Sequence, residues 1–212
     1  MKIALIGASG FVGSAILDEA VSRGHSVTAI VRDTSKVAPH PQITTVAVDA
    51  QDPQALADVL KGHDRVISAY NPGWSAPDIH DQYLKGASAI VEAAKAAHSW
   101  LLVVGGAGSL EIAPGVQLVD TPDFPAEWKQ GALAARDGLT ALRREAALDW
   151  RFVSPPVFLE PGEKRGGYRL GGDQVLFSGD KPAGITVGDL ADGVLNEAEQ
   201  PAHLRQRFTL GY

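Results

Sequence analysis

Short apolar runs alternate with amphipathic stretches along most of the chain. Ile3 to Ile6 has strand length, and Ser14 to Arg23 has helical spacing. His25 to Val31 is a second strand and Ile43 to Val48 a third. Asp52 and Pro53 then open a helix, as N-cap and first helical residue; it runs to Lys61 and stops at Gly62. Arg65 to Ser68 is a fourth strand, followed by an alanine-rich helix over Asp81 to Ala97. Trp100 to Val104 is wholly apolar, as a parallel strand buried on both faces should be. Leu133 to Ala147 reads as a further helix and Trp150 to Ser154 as a sixth strand. This alternation predicts an α/β fold, a doubly wound parallel sheet with its strand C-termini along one edge.

The pattern changes at Pro155-Pro156. Gly162, Gly166, Gly167, Gly171 and Gly172 punctuate a loop-rich stretch with short extended pieces around Tyr168 to Leu170 and Val175 to Phe177. A helix over Asp189 to Glu199 and a strand over Arg207 to Leu210 close the chain. The late segment is too short for a second core. The expectation is one domain over 1–212, with residues 155–185 forming most of a small C-terminal substrate lobe.

The turn after the first strand carries the most specific chemistry. Gly7, Gly10 and Gly13 follow the strand at a G-x-x-G-x-x-G spacing and lead into a helix. Gly7 permits the sharp turn, Gly10 a close backbone approach to a pyrophosphate, and Gly13 tight packing of the helix on the strand. Free N–H groups at the helix start then face the anion. Strand, glycines and helix in this order identify a Rossmann-like dinucleotide site. The second strand ends in Arg32-Asp33. An acidic residue there suits the ribose hydroxyls of NAD(H), whereas an arginine suits a 2′-phosphate, so NADP(H) is preferred over NAD(H).

Composition narrows the partners. The net charge is −6 without a basic run, which disfavours nucleic acid. The absence of cysteine removes disulfides, thiolate nucleophiles and iron–sulfur clusters. The six histidines are scattered, so no metal site is expected. No apolar run reaches the roughly 20 residues of a membrane span, and the glycines and Asp18-Glu19 argue against a signal peptide. The expectation is a cytoplasmic protein, a monomer or homodimer, acting on a small molecule.

The remaining candidates sit at strand ends, because ligands of such sheets bind there. Asp49 and Ala50 follow the third strand and are candidates for the adenine. Tyr70 and Asn71 follow the fourth, and Gly105, Gly106 and Ser109 the fifth; these loops should converge on the nicotinamide. Tyr70 and Ser109 are the catalytic candidates. A Tyr-x-x-x-Lys pair, the usual carbonyl-protonating device of short-chain dehydrogenases, is absent: none of Tyr70, Tyr83, Tyr168 or Tyr212 has lysine four residues on. An acceptor that delocalises charge, such as a flavin or quinone, needs stacking more than a placed acid. Trp74, Trp128, Phe158 and Tyr168 are candidate walls for such a ring, with Phe124 beside them.

Gly7-Ala-Ser-Gly-Phe-Val-Gly13, Val31-Arg32-Asp33, Asp149-Trp-Arg-Phe-Val-Ser-Pro-Pro156 and the tail from Tyr168 to Asp173 and from Arg207 to Tyr212 resemble the atypical short-chain reductases. The nearest group is that named for NADH-flavin reductase activity, akin to NmrA-like proteins and biliverdin reductase B. The resemblance spans the chain and implies reduction of a flavin or quinone-like acceptor. It implies that Gly7, Ser9, Gly10, Phe11, Val12 and Arg32 contact the cofactor and that Pro155 lies beside the nicotinamide. Biliverdin reductase B has a histidine after its paired prolines; Val157 stands here. Two other classes share the glycine turn: a non-catalytic NADP(H) sensor of NmrA type and a nucleotide-dependent epimerase or isomerase.

Overall fold

β1 (Lys2–Ile6) is buried at every residue but its first, and alternation sends its side chains into two separate cores. Ile3 and Leu5 face α1 (Phe11–Ser22); Ala4 and Ile6 face the opposite layer. In the computed structural model, which describes residues 1–212, β1 pairs in parallel with β2 (Ser26–Val31) on one side and β4 (Arg65–Ser68) on the other. β3 (Ile43–Ala47) extends the sheet beyond β2. α2 (Pro53–Leu60) follows, its N-cap Asp52 accepting the Ala55 amide at 3.0 Å. α3 (Ile79–Ala96) leads into β5 (Leu101–Val104). A small hairpin, β6 (Glu111–Ala113) and β7 (Val116–Gln117), separates β5 from α4 (Ala126–Arg143), which leads to β8 (Trp150–Ser154).

The C-terminal part adds β9 (Phe158–Glu160), β10 (Arg169–Gly171), β11 (Phe177–Ser178), β12 (Lys181–Pro182), β13 (Gly184–Thr186), α5 (Val187–Glu199) and β14 (Gln206–Gly211). The main sheet runs β10-β14-β8-β5-β4-β1-β2-β3; only β10 is antiparallel. Strand order reverses at β1 and β4, so their C-terminal ends diverge into a crevice, the place where ligands bind in such sheets. α1 and α5 cover one face over Ile16, Leu190, Val194, Phe208 and Leu210. α2, α3 and α4 cover the other over Leu56, Ile90, Leu139 and Phe152.

The expected alternation and parallel sheet are present, with shifted boundaries. α4 begins at Ala126, not Leu133, because its first turn is solvent-facing and offers no apolar periodicity until Gly131 and Ala132 are buried. It stops at Arg143 rather than Ala147, and the Trp150 indole N–H takes the Glu145 carbonyl just beyond, at 3.1 Å. α1 starts at Phe11, so the last glycine of the turn lies inside the helix. The two-stranded pairs β6–β7, β9–β13 and β11–β12 lie outside the main sheet and, at two or three residues per strand, are too short to pattern the sequence.

Asp189 holds the Gly162-to-Gly167 loop in place. It is 0% exposed. Its carboxylate accepts the amides of Arg165 and Gly166 at 3.1 and 2.8 Å, the Thr186 hydroxyl at 3.2 Å and the Tyr212 hydroxyl at 2.5 Å. Burial alone would raise its pKa; the donors from Tyr212, Gly166, Arg165 and Thr186 outweigh this and hold the carboxyl below its ordinary value. In Asp189→Asn an NH2 group must face donors, costing about 1–3 kcal/mol. At roughly 2–4 °C per kcal/mol for a chain of this size, the melting temperature at pH 7 should fall by several degrees. A depressed folded pKa stabilises above the unfolded carboxyl value of about 3.9 and is lost as pH falls through the folded value. Thermal melts of both proteins from pH 7 to 3 should therefore converge at the acid end; a constant gap would contradict this account.

Candidate nucleotide-binding site

The turn between β1 and α1 is pressed from two sides. Gly7 has φ +79°, and a Cβ there would lie 2.6 Å from the Ala69 carbonyl oxygen at the end of β4. A Cβ on Gly13 would lie 2.0 Å from the Gly7 carbonyl oxygen, so α1 sits directly on the turn. Gly10 differs. Its φ is −81°, and a Cβ there would meet only the Gly7 oxygen, at 3.5 Å. Packing within the protein does not require glycine at this place. Around it Ser9, Gly10 and Phe11 are exposed, and Val12 is half-buried. α1 has neither a capping side chain nor an acidic residue in its first turn. The Ser14 amide bonds to the Gly10 carbonyl at 2.8 Å, while the preceding N–H groups lack intrahelical partners. Free donors at a positive helix end, over a glycine that leaves space, fit a pyrophosphate.

At the end of β2, Arg32 is exposed and takes part in no ion pair. Asp33 turns to its own chain: its carboxylate accepts the Ser35 amide at 3.0 Å and hydroxyl at 2.7 Å, capping a short 3-10 turn over Thr34–Lys36. Asp49 likewise closes a turn onto the Gln51 amide at 2.9 Å, leaving its carboxylate exposed. Ala50, expected at the adenine, is instead 7% exposed and packs in the core against α2, so its side chain is not offered to a ligand.

Tyr70, expected beside the nicotinamide as a catalytic candidate, points elsewhere. Its ring fills the space beside Gly86 of α3, where a Cβ would lie 2.3 Å from Cε1. Its hydroxyl donates to the Gln82 carbonyl at 3.0 Å, and burial pushes the phenol up. Only its backbone remains at the edge, near Gly7. Ser109, the other catalytic candidate, is 3% exposed and its oxygen accepts from Arg207 at 3.2 Å. The remaining phenols are also committed. Burial raises Tyr83 to about 12; Tyr212 donates to Asp189, and Tyr168 donates to Asp192 at 2.6 Å. Tyr168 thus belongs to the α5 side of the sheet and does not join the other expected aromatic walls, because Asp192 and Asn196 claim its hydroxyl.

Other candidates lie on segments that leave the C-terminal ends of the strands. Asn71 closes a turn onto the Gly73 amide at 2.7 Å. This shapes the loop that lays Trp74 against α4, where a Cβ on Gly131 would lie 2.6 Å from the indole. Trp128 lies one turn earlier on α4, on the Gly131 side. Both indoles are exposed, at 62% and 53%. Phe158 is exposed on β9, just beyond the buried Pro155. Gly105 has a packing reason to be glycine, since the Phe152 ring occupies its Cβ position. Gly106 does not: a Cβ there would touch only Ala135, at 3.6 Å. Gly10 and Gly106 are therefore two glycines at this edge whose missing side chains leave room for a ligand. Sequence reasoning missed Arg207 and Asp189. The alternation of Arg207 and Thr209 with Phe208 and Leu210 was the available sign of a polar strand face.

The profile of the NAD(P)H-binding family matches residues 7–201. The chain belongs to this family. It is 40% identical over 214 residues to the Bacillus subtilis protein called "Uncharacterized protein YwnB", covering 99% of this chain and 98% of that one. A Bacteroides thetaiotaomicron structure described as a "putative epimerase" superposes with a TM-score of 0.93 at 41% identity, over 100% of this chain and 96% of that one. A Streptococcus pneumoniae structure described as a "putative NADH-flavin reductase" gives 0.89 at 39% identity, over 100% and 99%.

Proposed function

We propose that this protein is an NADPH-dependent reductase that passes hydride to a flavin or quinone-like acceptor. One observation carries the reading: every tyrosine hydroxyl and Ser109 is already bonded or buried away from the sheet edge, while two broad indoles stand exposed at that edge. A carbonyl reductase or an epimerase needs a proton held at a defined atom. A delocalised ring does not, since solvent can protonate it after hydride arrives. The name carried by the Streptococcus structure supports the same acceptor class.

In this reading the free amides at Phe11 and Val12 hold the pyrophosphate and Gly10 gives it room. Arg32 takes the 2′-phosphate, and Asp33, spent on Ser35, does not compete for the ribose. Gly106 and Pro155 bound the nicotinamide half. A reduced nicotinamide bound there supplies the hydride. Trp74, Trp128 and Phe158 position the acceptor and exclude water, with the segment 155–185 as the substrate side.

Two measurements test this. Arg32→Ala should weaken NADPH roughly 10- to 150-fold and leave NADH nearly unchanged; equal losses in calorimetry would remove Arg32 from the phosphate. With saturating NADPH and FMN or a soluble quinone, wild type should oxidise NADPH, and Tyr70→Phe and Ser109→Ala should each retain kcat within about tenfold. A general acid contributes about 10²–10⁴-fold, so a thousandfold loss in either variant, or an inert wild type, would reject the reading.

A further inference from the structure

Arg207 is a cation inside the core. Its side chain is 2% exposed, at the second position of β14. Nε donates to Asp173 Oδ1 at 2.7 Å, and Nη2 meets the same oxygen at 2.5 Å. Nη2 also donates to the Asp173 and Ser109 carbonyls at 3.1 and 3.4 Å. Nη1 donates to the Ser109 and Ser154 hydroxyls at 3.2 and 3.3 Å. One guanidinium thus joins the loop after β5, the end of β8 and the turn after β10. Asp173 is fixed from the far side by Arg143 of α4 at 2.7 Å. The β8 residue registered with Arg207 is Phe152, whose ring occupies the space under Gly105.

A buried cation is a costly way to gain stability alone. Well-packed apolar residues in place of buried ion pairs are often neutral or stabilising. What an arginine adds is a planar fork of donors in fixed directions. Here the fork ends on Ser109, three residues from Gly106, and on Ser154, directly before Pro155. We infer that Arg207 is a positioning residue for the nicotinamide half of the cofactor site, acting through Ser109 and Ser154. This rests on the reading that the sheet edge binds NADP(H). Without the fork, the Gly105-to-Ser109 loop and the Ser154-Pro155 corner lose their common reference, while the Gly10 cradle and Arg32 keep theirs.

The test separates the two halves of the cofactor. Binding of 2′,5′-ADP, which lacks the nicotinamide, is measured by calorimetry for wild type, Arg207→Lys and Arg207→Met. The nicotinamide emission lifetime of bound NADPH is measured on the same proteins. In both variants 2′,5′-ADP should bind within about twofold of wild type, and the NADPH lifetime should move toward that of the free nucleotide. Lysine should fail as methionine does, because it keeps the charge and loses the fork. Unchanged lifetimes, full rescue by lysine, or equal weakening of 2′,5′-ADP would overturn the inference. If neither variant folds, Ser109→Ala/Ser154→Ala, which removes only the two hydroxyl contacts, is read by the same criteria. A wild type that binds neither ligand overturns the nucleotide site and this role with it; normal wild-type binding with unaltered variants overturns this role alone.

Discussion

The contact between Gly13 and the Gly7 carbonyl sets the geometry on which the site depends. No side chain fits between them, so α1 rests directly on the end of β1. That seating brings the uncapped start of α1 to the place where strand order reverses. Helix dipole, unsatisfied amides and crevice then coincide without a dedicated binding side chain. The glycine spacing is thereby divided between two causes. Gly7 and Gly13 serve packing, whereas Gly10 is free of packing constraints and leaves its space to a ligand.

The far end of the edge is organised by buried charge. Asp189 gathers the loop before β10 and the final tyrosine. Arg207 gathers the loop after β5, the end of β8 and the Asp173 turn. Both groups bring together segments distant in sequence, and both are fully engaged, which buried charge requires. Between them the small C-terminal strands are fixed without a core of their own.

The sheet was legible in the sequence because parallel strands buried on two faces are long apolar runs, and the glycine turn was legible because sterics there act locally. What escaped depends on tertiary partners. Tyr70 follows β4 as expected, yet its ring falls into the space left by Gly86, sixteen residues further along the chain. Ala50 is at a strand end but faces inward. Ser109 sits in the expected loop and is occupied by an arginine from the last strand. Such commitments leave no local mark. The proposal of an acceptor that needs no placed acid draws on these commitments as well as on the missing Tyr-x-x-x-Lys, since the phenols and Ser109 are bonded or buried.

Relatives of nearly equal identity carry names from two reaction classes, an epimerase and a flavin reductase. The NAD(P)H-binding fold of this chain does not depend on which of these classes holds for it, and the turn after β1 is its most local feature. The most direct measurement is calorimetric titration of NADPH into wild type and Gly10→Val, alongside thermal unfolding of both. Because a Cβ at Gly10 meets only the Gly7 oxygen, at an ordinary 3.5 Å, and would stand in the place proposed for the pyrophosphate, the variant should unfold at the wild-type temperature and bind at least about a hundredfold more weakly, roughly 2.8 kcal/mol. Wild-type affinity in a folded Gly10→Val protein would contradict the account.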